Sequence, residues 1–326
     1  MTSLRERIAG ALTPFVDVRT PSSATDGDGS FGFDYGAVPF ALQVVTLTEG
    51  LDVVSITGVL AWDLPLDDAV RGRVAAAADA LQFGSVHLIE RETDADVVLR
   101  YSFPATGLDD TALTTMLLLV LDGAADARGA VAGTPRPQGE FVTTTDIDVE
   151  TTTEEVVAAD GAHAVAIPTE DDDALRAAVV ETLSEILEEA PEPDEDGEIP
   201  IWIDDVLTYA TVDAEGGFVL LTTYLVEGIT GRTRAAEVLG DLQVEFPEVK
   251  FVLDKDRVTV ELRVAASPLV PIHLVRAVAS LVPVVEQARA LAQRLGGEAS
   301  VFDGEAEDDE ENLLADGCGC DDCDCG

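Results

Sequence analysis

Apolar and polar positions alternate in blocks whose period changes along the chain. Leu4, Ile8 and Leu12 recur at helical spacing until Pro14 stops the run. A turn-rich stretch at 21–30 follows, then strand-like segments at 31–35, 38–47 and 53–62. In the last of these Val54, Ile56, Leu60 and Trp62 share one face, and Ser55 and Thr57 the other. Asp67 is a natural N-cap for an Ala-rich helix at 67–82. Strands at 85–90 and 96–103 come next. A helix at 109–131 closes the set, with Leu113, Leu117, Val120, Ala124 and Ala127 on one stripe.

The same order recurs. A helix at 173–189 carries Leu175, Val179, Leu183, Ile186 and Leu187; strands follow at 199–203, 206–212 and 218–226. A helix at 233–243, strands at 249–253 and 258–264, and a helix at 271–295 complete the second copy. Pro271 suits the first turn of that helix, Pro283 predicts a kink, and Gly296 and Gly297 end it. The copies align in detail: Phe83-Gly-Ser-Val86-His-Leu88 matches Phe246-Pro-Glu-Val249-Lys-Phe251, and Val97-Val-Leu99-Arg100 matches Val258-Thr-Val260-Glu261. A repeat this long means duplicated domains rather than a solenoid. The expected fold is α+β: two similar domains, each α-β-β-β-α-β-β-α, with an antiparallel sheet covered by helices on one face. The expected boundaries are 1–133 and 173–301 for the domains, 134–172 for a Thr-, Pro- and acid-rich linker, and 302–326 for an acidic tail. The apolar patches of the linker, 141–142 and 165–167, could add a strand to a largely flexible tether.

Charge narrows the function classes. The 326 residues hold 64 acids and 19 bases, a formal net charge of −45. That excess opposes nucleic acid, whose binding needs Lys and Arg to neutralise phosphate, and opposes anionic membrane surfaces as well. The charge is uneven. Residues 139–198 hold 20 acids and one base, and 302–326 hold 11 acids and no base, which reads as solvated, self-repelling segments. No signal peptide is apparent at 1–12, and the longest uncharged run, 35–48, is shorter than the roughly 20 residues of a membrane span. With all four cysteines in the last nine residues, no disulfide frames the fold, and a cytoplasmic protein is expected.

At this point the pattern resembles the YbjN-like domains, in tandem, of the group related to type III secretion chaperones and regarded as peptide-binding chaperones. The residues that carry the resemblance are 86–91 and 97–101 before the helix at 109. In the second copy they are Val249-Lys-Phe-Val-Leu253, residues 258–263, and Ser267-Pro-Leu-Val-Pro-Ile272. The family pattern often places Asn near the end of the middle helix; neither 75–82 nor 235–243 has one. The resemblance implies the α+β fold and non-enzymatic binding of polypeptide segments, with no catalytic residue.

Motifs for other chemistry are incomplete. Gly228-Ile-Thr-Gly231-Arg232-Thr233 is too short for a phosphate loop and lacks its Lys, so it reads as a loop before a helix. Asp26-Gly-Asp28-Gly-Ser30 begins like a calcium loop, but Phe31 and Ala37 stand where Gly and a bidentate acid belong. Asp194-Glu-Asp196-Gly197-Glu198 is a similar acid-rich turn. His87, His163 and His273 show no zinc spacing, and His273 is expected to be exposed at a helix start.

Two binding hypotheses remain. In the first, the uncovered sheet faces hold an extended client or partner polypeptide. The expected contact residues are Ser55, Thr57, His87, Arg100 and Ser102 in the first copy. In the second they are Thr223, Lys250, Glu261 and Arg263, with Val219, Leu221, Leu225 and Val252 in the same phase. The alternative is that these faces pack half against half. The chain would be a monomer with pseudo-dimeric halves or a homodimer. In the second hypothesis, Cys318, Cys320, Cys323 and Cys325, at C-x-C-x2-C-x-C spacing, take a soft ion such as Zn²⁺ or Cu(I) or act in thiol redox, with the domains as scaffold. No cofactor is otherwise expected.

Overall fold

The computed structural model describes residues 3–16, 30–48, 51–131, 161–187 and 189–301. Two similar α+β halves, each an antiparallel sheet with helices on one face, account for them. The linker residues up to 160 and the cysteine tail lie outside the described residues.

The first half runs α1 (Leu4–Leu12), β1 (Phe31–Tyr35), β2 (Val38–Thr48), β3 (Leu51–Pro65), α2 (Asp68–Ala80), β4 (Ser85–Glu90), β5 (Asp94–Pro104) and α3 (Asp110–Val131). The sheet order is β1-β2-β3-β5-β4. Local chemistry sets the boundaries. Ser3 and Glu6 form a capping box at α1, and the Asp67 side chain accepts the Val70 amide to start α2. Gly36 and Ala37 both adopt positive φ, 55° and 63°, the pairing a tight two-residue β1–β2 turn needs to match strand twist. The α3 stripe of Leu113, Leu117, Val120 and Ala124 packs on the sheet with Phe33, Phe40, Leu42, Ile56 and Leu99.

The second half repeats the plan: α4 (Asp172–Ile186), β6 (Ile199–Ile203), β7 (Val206–Asp213), β8 (Phe218–Glu227), α5 (Arg232–Glu245), β9 (Lys250–Asp254), β10 (Arg257–Ala265), α6 (Pro271–Val285), α7 (Ala288–Leu295) and a short β11 (Glu298–Ala299). Its sheet order, β6-β7-β8-β10-β9, is that of the first, with β11 added on β8. A shared irregularity underlines the kinship. Ala61 pairs Val97 and Val59 pairs Val98, so Leu60 is an extra residue; Val226 pairs Val258 and Tyr224 pairs Thr259, so Leu225 is extra. The bulges fall beside the aligned residues Val97 and Val258.

Two expectations change. The predicted single helix at 271–295 is broken rather than kinked: α6 ends at Val285 and α7 begins at Ala288. Pro283 offers no N–H to the preceding turn, so the helix loses a bond just where it stops. The last part of the predicted tether takes defined structure. Residues 161–164 form a 3-10 turn, and Ile167 exchanges two backbone hydrogen bonds with Leu269, at 2.7 and 3.1 Å. Among the described residues no helix is long and apolar enough to cross a membrane.

Candidate functional site

The halves meet corner to corner. Helix α5 of the second half packs on its own β9 and also on β4 of the first. Val270 and Ile272, at the entry to α6, are buried in the first core. The junction has approximate two-fold character. Ser85 Oγ donates to the Pro247 carbonyl at 2.7 Å. Glu248, which aligns with Ser85, lines a small cavity with Gly84, which aligns with Pro247.

Four of the eight leading sequence candidates converge on this junction. On the uncovered face of the first sheet, Thr57, Arg100 and Ser85 stand opposite one another across three strands, and His87 lies one row away. His87 is not open to solvent: it is 3 % exposed, with Nε2 at 3.1 Å from Ser85 Oγ. Burial, reinforced by the nearby Arg100 guanidinium, pushes its pKa down to about 3, a shift the adjoining Gln243 carbonyl partly opposes. His87 is therefore neutral at pH 7, and its Nδ1 has no hydrogen-bond partner among the described residues.

Arg263 reaches across from β10. Its Nη1 donates to the carbonyls of Leu81 and Gln82 at 3.3 and 3.0 Å, and its guanidinium lies 5.4 Å from the Phe218 ring centre. Those carbonyls belong to the C-cap of α2 and the residue after it, so a cation from one half satisfies acceptors and places positive charge just past a helix C-terminus of the other. Lys250 is also buried, on the same face as Glu261. Ser55 and Thr57 remain part-exposed on the first sheet, Ser55 accepting from Ser102 Oγ at 3.2 Å. Thus the alternative that the faces pack half against half holds for His87, Lys250 and Arg263.

Val219 and Leu221 need correcting outright. They lie fully buried on the helix-covered face with Leu225 and Thr223, not on the face of Lys250 and Arg263. The run Phe218–Val226 is apolar on both sides, so alternation gives no phase, and Thr223 invites the wrong one. Thr223 tolerates the core because Thr208 Oγ1 lies 2.8 Å from its own hydroxyl. His273, expected at the surface, is 4 % exposed, with Nε2 on the Thr106 carbonyl at 2.9 Å; burial takes its pKa down to about 4. The acid-rich 194–198 segment is a turn in which one Asp194 carboxylate oxygen accepts the Asp196 and Glu198 amides. Gly228–Gly231 is a loop leading into α5, whose first residues are Arg232 and Thr233.

Gln243 was missed by the sequence reading. Its amide donates to the Phe246 and Val249 carbonyls, at 3.2 and 2.5 Å, and accepts the Phe251 amide at 3.1 Å, fastening the end of α5 to β9. A lone polar residue at the last buried position of an amphipathic helix was the available signal. Glu248 was missed too: Arg276 Nη2 and Ser280 Oγ each donate to it at 2.9 Å. It borders both junction cavities, whose volumes of about 40 and 20 Å³ admit a few waters and no client side chain.

The sheet faces away from the junction offer the larger surfaces. The first presents Ala41, Gln43, Ser55 and Thr57, small and polar. The second presents Trp202, 50 % exposed, and part-exposed Leu207, Tyr209, Leu220 and Tyr224. The rings of Tyr209 and Tyr224 meet edge to face at 6.2 Å.

Residues 173–303, the second half, match the family described as T3SS (YopN, CesT) and YbjN peptide-binding chaperone 1, and carry a chaperone-like domain. A solved chain from the crystal structure of the ExsC–ExsE complex is 20 % identical, covering 38 % of this chain and 97 % of its own length at a TM-score of 0.31. No curated protein matches the chain.

Proposed function

We propose that the chain is a non-enzymatic, polypeptide-binding chaperone-like protein in which two fused halves do the work of a dimer. One observation carries this reading: a domain matching a peptide-binding chaperone family has, among the described residues, no helix over one face of its sheet, and aromatic and aliphatic side chains stand on that face. Such a face can hold an extended chain through alternate side-chain pockets. Most polar groups buried at the junction are engaged structurally, although His87 Nδ1 and Arg263 Nε have no hydrogen-bond partner among the described residues. His87 and His273 are neutral at pH 7, Arg263 caps α2, and Glu248 is held by Arg276 and Ser280.

The test is a peptide array of random sequences probed with the labelled full-length chain. A reproducible subset bound above background, and displaced by the same peptides in solution, is expected. A blank array, together with failure to slow aggregation of an unfolded substrate protein, removes the reading. The same protein purified without chelator addresses the cysteine tail. A stoichiometric soft metal lost on deleting 302–326, with peptide binding lost alongside it, would instead make the tail the active part.

A further inference from the structure

The uncovered face of the second sheet is not uniform. Its end nearest the first half is occupied: Phe218 and Ala265 pack against the first core, and Arg263 caps α2. The far end, at the β6–β7 and β9–β10 turns, carries Trp202, Leu207 and Tyr224. Around these side chains stand Asp204, Asp205, Glu227, Asp254 and Asp256, all exposed, against Lys255 and Arg257.

That end already holds one cation in the required manner. The Arg257 guanidinium lies 5.4 Å from the Tyr224 ring centre while Nη2 reaches a Glu227 carboxylate oxygen at 3.4 Å. An aromatic face bordered by carboxylates attracts ammonium and guanidinium groups, through the ring quadrupole and simple charge. A second copy of this chain, at −45, would be repelled, so self-association through this face is disfavoured. The five main strands, β11 aside, span roughly 24 Å at about 4.8 Å each, so about seven extended residues cross the face.

Resting on the polypeptide-binding reading, we infer that this end of the second sheet docks an extended segment in which Lys or Arg alternates with aromatic or aliphatic residues. The apolar side chains lie on Leu207 and Tyr224. The cations stack on the aromatic rings and reach the carboxylates at the turns. The first sheet carries Trp62 at the corresponding end, near exposed Asp63, Glu90 and Glu92, but presents Ala41, Gln43, Ser55 and Thr57 along the rest of the face, so the second sheet, with Trp202, Leu207, Tyr209 and Tyr224, is the richer surface.

The random peptide array distinguishes the two levels of the argument. Bound peptides should be enriched in Lys or Arg alternating with Phe, Tyr, Trp, Leu or Ile. Trp202→Ser with Tyr224→Ser, which leaves net charge untouched, should weaken a selected basic peptide at least tenfold by fluorescence anisotropy. Leu207→Thr should weaken it less. Ile89→Ser, on an exposed apolar residue of the first half, should not weaken it. Unchanged melting temperatures of the exposed-face variants would show that they fold. Selected peptides that are acidic, or that bind the double variant as tightly as the parent, overturn this surface and leave the polypeptide-binding reading intact. A blank array overturns both.

Discussion

Acidification should weaken the junction between the halves, because two histidines there are held neutral. In the unfolded chain a histidine titrates near 6.5; in the folded protein His87 is lowered to about 3 and His273 to about 4, both chiefly by burial. Above pH 6.5 neither state binds these protons and the contribution is constant. Below it the unfolded chain takes up protons the folded junction refuses, so stability falls with pH through the window from 6.5 down to about 4. At pH 5 linkage gives about 2 kcal/mol per histidine, so about 4 kcal/mol for the pair, set against a total of about 5–15 kcal/mol for a typical domain. The charged groups nearest them reinforce this, Arg100 beside His87 and Arg276 beside His273 both repelling the imidazolium, while the Gln243 and Thr106 carbonyls oppose it only in part. Carboxylates elsewhere also titrate, so the comparison must be differential. Urea unfolding at pH 7 and pH 5 for the parent and for His87→Gln should differ in pH dependence by about 2 kcal/mol. Trp62 in β3 and Trp202 in β6 supply one fluorescence reporter for each half. Equal losses between pH 7 and 5 in parent, His87→Gln and His273→Gln would refute the linkage argument.

Other substitutions probe different links. Arg263→Ala removes charged hydrogen bonds and a C-terminal helix charge, and should cost about 2–3 kcal/mol by denaturant titration, with Arg263→Lys intermediate. Thr208→Val or Thr223→Val alone strands a buried hydroxyl and should cost about 1–3 kcal/mol, while the double variant should come close to neutral, as a double-mutant cycle would register. Ala37→Gly relieves an exposed residue at φ 63° and should raise stability by about 0.5–1 kcal/mol in the same titration. Gly107→Ala places a methyl 2.5 Å from the Ala164 carbonyl oxygen at φ 78° and should lower the melting temperature by several degrees.

Element order, the antiparallel α+β architecture and the duplication were legible because the periods are local and repeat. The candidate surface was legible only in part. Alternation assigns a phase where one face is polar, as in Val54–Ile56, but the extra residue Leu60 puts Ala61 in the core and turns Trp62, expected on the Val54 face, to the other side; it also fails where both faces are apolar, as in Phe218–Val226. In that run the pattern points to Val219 and Leu221, which are core residues, rather than to Tyr224, which is on the open face. Contacts between the halves leave no local trace. A histidine in a strand reads as solvent-facing until another helix is laid over it, and Arg263 looks like a surface cation although its partners, Leu81 and Gln82, are backbone atoms far away in the chain. The shared bulges at Leu60 and Leu225 are equally invisible, since an extra residue in a strand is defined by its partner.

Fusion has consequences that a symmetric dimer would not have. Exchange between identical halves would force both ends of the interface to carry the same groups. Here the aligned positions have separated: Ser85 faces Glu248 across the alignment, His87 faces Lys250, and Ser102 faces Arg263. Each separation suits one side of the junction. Arg263 caps α2, while the end of α5 is closed from within by Gln243. Ser85 supplies a short donor to Pro247, while Glu248 takes two donors from α6. The covered part of the first sheet lies under α5, and the aromatic end of the second sheet stays clear of the first half. Once one copy need only support the other, the two faces are no longer bound to share a composition: along β2 and β3 the first carries Ala41, Gln43, Ser55 and Thr57, where the second carries Leu207, Tyr209, Leu220 and Tyr224.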